Sequence, residues 1–211
     1  MFVKTHRMAL AWALCLGLAS AFPRAEAQEL PPTDVAYVEA DAAAQQVAAI
    51  DASNEQARGA LEALVRREPR NVIARLQNAQ QLMERGLRAR VARELESAER
   101  FSEAGSPLRR SVHFNAGWIL LRMGDFDGAR AQWMQAWQQH RGHPDWVPVA
   151  FALALWNQGD RDTALAFFKA ELAARPGQWQ GAEAFEASTR GLNPGERFAL
   201  QSMQQALASP R

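Results

Sequence analysis

Two stretches of this chain, MGDFDGARAQWMQAW at 123–137 and QGDRDTALAFFKAEL at 158–172, follow one pattern 35 residues apart. Each runs from a Gly-Asp turn into a helix-forming segment with Ala and aromatic residues at matched places. With Gly124 set on Gly159, Ala129 falls on Ala164, Trp133 on Phe168, Gly117 on Ala152 and Leu120 on Leu155. Small residues recur where two helices must approach closely, and large ones where a gap must be filled. That is what a helix-turn-helix unit needs in order to stack on copies of itself. Abundant Ala, Leu, Arg, Gln and Glu, with little Val, Ile, Thr or Tyr, points the same way, to an all-α chain.

The units resemble tetratricopeptide repeats, whose helical hairpins are about 34 residues long. The unit at about 110–143 carries Gly117, Gly124-Asp125-Phe126, Ala129, Trp133 and Ala136; its closing proline is delayed to Pro144. The unit at about 145–178 carries Ala152, Gly159-Asp160, Ala164, Phe168 and Pro176. It departs from the pattern at Arg161, in place of the turn aromatic, and at Glu171, in place of a small residue. Upstream, 72–105 supplies Ala79, Leu82, Gly86, Leu95 and Ala98. A first unit supplies Leu61, Leu64 and Pro69, with YVEADAAAQQVAAID as its first helix. Four hairpins thus span 38–178, about two thirds of the chain. The resemblance implies a right-handed superhelical solenoid of antiparallel helix pairs. Residues 179–211 are expected to cap it, with a helix starting at Asn193-Pro194.

The first 27 residues read differently. Lys4, His6 and Arg7 precede the apolar run MALAWALCLGLASAF, and AEA ends at Ala27. This is the pattern of a cleaved secretory signal, with Ala21 as an alternative cleavage point. The run is shorter than the roughly 20 residues of a membrane-spanning helix; an uncleaved anchor that tethers the protein is the alternative. Cleavage after Ala27 would remove Cys15, the one cysteine, and leave 28–37 as a short lead-in. It would also remove Lys4, Arg7, Arg24 and Glu26, making the mature chain about one charge negative. Such a balance draws the chain neither to nucleic acid nor to an anionic membrane.

Residues that could carry chemistry are few. His140, His143 and Asp145 have the spacing of a metal site, but fall in an inter-unit turn, where a structural loop is the simpler reading. A metal-dependent enzyme or enzyme accessory built on that loop is the runner-up. His113 reads as a packing residue, and Glu94 and Glu96 lie on different helix faces. No catalytic residue, cofactor or resident metal is assigned.

The resemblance does imply a groove lined by the first helix of each pair. Carried over by position, it comprises Leu76, Gln80 and Met83 in the second unit and Phe114, Asn115, Trp118 and Arg122 in the third. The fourth contributes Trp146, Val149, Leu153, Trp156 and Asn157; Leu121, Glu39 and Gln46 fall at equivalent places. The lysines of the carboxylate clamp found in some relatives are missing. Trp-rich walls suit an amphipathic helix or an extended apolar peptide, unless the indoles only fill gaps or lie under the cap. The expectation is a non-catalytic periplasmic or secreted adaptor that holds a protein or peptide partner of the cell envelope.

Overall fold

The structure is a computed structural model that describes residues 29–40 and 55–209. The signal segment, Cys15, Gln46 and the body of the expected first helix lie outside the described residues. Those described are all-helical, with no strand. Helix α1 (Glu55–Arg67) is followed by three hairpins: α2 (Val72–Glu84) with α3 (Arg88–Phe101), α4 (Pro107–Arg122) with α5 (Phe126–Gln138), and α6 (Val147–Gln158) with α7 (Arg161–Ala174). A short 3-10 turn at Pro176–Gln178 leads to α8 (Ala182–Ser188) and α9 (Pro194–Ala208). Each hairpin packs on the next through α2 against α4 and α5 against α6, and α9 closes on α6 and α7.

The turns inside the last two hairpins are copies of each other. Gly124 and Gly159 adopt φ of 76° and 90°, a left-handed conformation that costs glycine little. The following Asp125 and Asp160 amides donate to the Leu120 and Leu155 carbonyls at 2.9 and 3.0 Å. Their carboxylates then cap the next helix, accepting from the Gly128 and Thr163 amides. One of the free N–H groups at each helix start is thereby satisfied. At the equivalent place before α3, Leu87 offers no such cap. Helix α9 instead begins with a reciprocal capping box between Asn193 and Glu196.

Packing follows the paired positions. Ala129, Ala164, Trp133, Phe168 and Ala152 are completely buried, so small and large residues alternate across the helix contacts. One continuous core runs through α5–α9. Toward the N-terminus it breaks into smaller groups, such as Val72, Leu76, Ala98 and Val112.

The structure departs from the expected unit boundaries at its start. Tyr37–Ala40, read as the beginning of a helix, is non-helical. The segment crosses to the α5–α6 loop, where the Val38 amide donates to the His143 carbonyl at 2.8 Å. Tyr37 is buried, its ring edge-on to His143 at 5.8 Å, and its hydroxyl donates to the Pro32 carbonyl. Leu30 and Val35 pack on the main core. The lead-in is therefore a strap along the C-terminal half. An aromatic that buries its ring there gains more than a first helical turn would supply.

Candidate functional site

A cavity of about 420 Å³ opens between the first helices of the hairpins and the cap. Helix α2 contributes Gln80 and α4 contributes Phe114, Asn115, Trp118 and Arg122; the α6 entry adds Asp145, Trp146 and Val149. The opposite wall comes from Glu171 of α7, Arg175 just after that helix, Trp179, Ser188 at the end of α8, and Gly191 and Leu192 between α8 and α9. These side chains meet because α4 and α6 are consecutive first helices and the cap folds back across them. Phe114 sets Trp118 and Trp146 at ring distances of 6.5 and 5.2 Å, both near-perpendicular, an arrangement that aromatic quadrupoles favour.

Two ionic groups brace the walls. Arg122 Nε donates to Glu196 Oε1 at 2.9 Å and its Nη2 reaches the Gly191 carbonyl at 3.2 Å, tying α4 to the cap. Glu171, 1% exposed, is held by Arg175 and accepts from Trp179 Nε1 at 2.9 Å. Arg175 also bonds the Asp145 carbonyl at 2.5 Å and its carboxylate at 3.3 Å. A carboxylate this deep is tolerable because its oxygens are satisfied.

Seven of the twelve groove residues expected from the sequence do line this cavity: Gln80, Phe114, Asn115, Trp118, Arg122, Trp146 and Val149. Met83 lines a neighbouring recess with Arg122 and Leu192. Leu76 and Leu153 do not reach the groove, since both are completely buried. Leu76 packs with Val112 because α4 leans on α2. Leu153 joins Leu200 and Met203 in the core because α9 covers that part of α6. Leu121 is buried for the same kind of reason. Trp156 and Asn157 lie outside the cavity. The Arg161 guanidinium covers the Trp156 ring at 3.7 Å, and Asn157 Nδ2 donates to the Leu153 carbonyl at 2.7 Å.

The residues of the 140–145 loop serve three different partners. His140 Nε2 faces Glu39 at 3.1 Å, His143 meets Tyr37, and Asp145 pairs with Arg175. They form no metal-holding group, and no group of three or more His, Cys, Asp or Glu does so among the described residues. His113 is buried against Gln132 at 2.7 Å. Burial pushes the Tyr37 phenol up to about 12, with the Asp34 charge adding to it. The cap-side wall was missed from the sequence, though Glu171, one of its residues, had marked it by breaking the repeat pattern.

The arrangement offers indole faces, planar amides and paired charges around a space of ligand size. Comparison with protein-family models, with curated proteins and with solved structures gives no match.

Proposed function

We propose that the protein is an exported, non-catalytic adaptor of tetratricopeptide type. It would hold a segment of another envelope protein in the cavity between α2, α4, α6 and the cap. The observation that supports this most is the convergence of Gln80, Phe114, Trp118, Trp146 and Val149, drawn from three successive first helices, on one space. Half-buried indoles on a pre-formed wall supply contact area at little cost in conformational freedom. The periplasm is the compartment we assign, on the strength of the basic head, apolar run and AEA end of the first 27 residues.

In-cell photocrosslinking from a reactive side chain at position 118, with mass spectrometry of the adducts, tests the reading. A dominant envelope protein whose adduct is lost in Trp146→Ala supports it. Adducts confined to α8 and α9 of the same chain overturn it. Export with cleavage after Ala27 carries its own check: the intact mass must correspond to a chain beginning at Gln28. A mass that retains Met1 and Cys15 would mean a tethered protein.

A further inference from the structure

We infer that the strap is a positioning device for the cavity: docked on the α5–α6 loop, it sets the wall formed by Asp145, Trp146 and Arg175, and undocked it leaves that wall loose. This goes beyond the adaptor reading, because it concerns the shape of the cavity whatever occupies it.

The loop between α5 and α6, residues 139–146, is neither helix nor strand, so its shape depends on what holds it from outside. The strap holds its middle. The Val38 amide donates to the His143 carbonyl, the Tyr37 ring stands edge-on to the His143 imidazole, and Glu39 faces His140. Arg175 holds its far end, through the carbonyl and the carboxylate of Asp145. One residue, Pro144, separates the two holds. Its ring fixes its own φ and confines the preceding His143 to extended backbone. With those dihedrals restricted, a displacement of His143 is passed on to Asp145.

From Asp145 the contacts run into the cavity. Arg175 also pairs with buried Glu171, which accepts from Trp179 Nε1. Trp146 follows Asp145 directly and stands against Phe114. Asp145, Trp146, Glu171, Arg175 and Trp179 all line the cavity, and none of the described strap residues does. The strap therefore acts on the cavity at one remove, through the loop.

The strap is also the element best suited to undock. Among the described residues, a single backbone hydrogen bond, from Val38 to His143, joins it to the helical body. A segment held so lightly opens at lower free energy than the helices it covers. The coupling is reciprocal: whatever steadies the wall also holds the strap down.

The test labels the full protein with 5-fluorotryptophan and follows the fluorine resonances of Trp146, Trp179 and Trp156, each assigned with its Phe variant. Tyr37→Ala removes the buried ring. Val38→Pro removes the hydrogen-bond donor and no core side chain, since Val38 is 64% exposed. In Tyr37→Ala, exchange of the Val38 amide should quicken about tenfold or more. The Trp146 and Trp179 resonances should shift or broaden, while Trp156, outside the cavity, stays unchanged. Should Tyr37→Ala lose helical circular dichroism, Val38→Pro decides alone by the same resonances. Unmoved Trp146 and Trp179 overturn the inference. A shift of all three overturns it too, because the strap would then support the whole fold, and so does a Val38 amide that stays protected without the Tyr37 ring. The crosslinking result judges the adaptor reading separately.

Discussion

Trp133 occupies the space that a side chain at Gly117 would need: a Cβ built on Gly117 would stand 2.2 Å from the indole nitrogen. That nitrogen donates to the Phe114 carbonyl at 3.1 Å. Trp133 in turn meets Trp118 edge-on at 5.2 Å, so the missing side chain at 117 sets the position of a cavity wall. Gly117→Ala gains about 1 kcal/mol of helix propensity and loses more to overpacking, which costs about 1–3 kcal/mol and displaces Trp133. A lowered melting temperature is expected, partly restored by Trp133→Phe in the same chain. A raised melting temperature in the single variant would rule out the packing.

Ala129 is completely buried at the α5 contact. Ala129→Glu places a carboxylate there with no cation prepared for it, and should cost several kcal/mol in denaturant unfolding. An unchanged midpoint would mean that α5 does not face the core as described.

Arg175 and Glu62 separate buried from exposed ion pairing. Arg175→Leu strips the principal partner from buried Glu171 and should cost about 3–5 kcal/mol. Glu62 meets Arg66, Arg85 and Arg90 at the surface, so Glu62→Gln should cost less than about 1 kcal/mol. Comparable losses in the two variants would contradict this assignment of burial.

Tyr37 is the one tyrosine of the chain, so phenolate absorbance reports the strap alone. Its folded-state value of about 12 lies above the ordinary 10.0, so the folded chain holds the proton more tightly than the unfolded chain. The associated stability is complete below pH 10 and is lost as pH rises toward 12. Absorbance should therefore titrate near 12 in the folded protein and near 10 in denaturant. A folded-state midpoint near 10 would place Tyr37 in solvent.

The hairpins were legible because their signals are local. Gly124-Asp125, Gly159-Asp160 and Asn193-Pro194 mark turns and caps within a few residues of the elements they control. The groove was legible only in part. Helical periodicity places Leu76, Val149 and Leu153 on comparable faces, and only the neighbouring helix decides which of them meets solvent. Trp156 was misplaced for a related reason, because Arg161 begins the following helix and lies over its ring. Glu171 could have been found as a charge where the repeat asks for a small residue. Nothing near Tyr37 points to His143, since their contact spans roughly a hundred positions of chain.

That distance bears on the order of folding. The hairpins join neighbours in sequence and can form independently along the chain. The strap leaves the ribosome before them all, yet its seat beside His143 exists only once α5 and α6 are in place. Closing so long a loop is entropically slow, so strap docking belongs at the end of folding. It converts a row of nearest-neighbour contacts into a structure whose beginning waits on its far half.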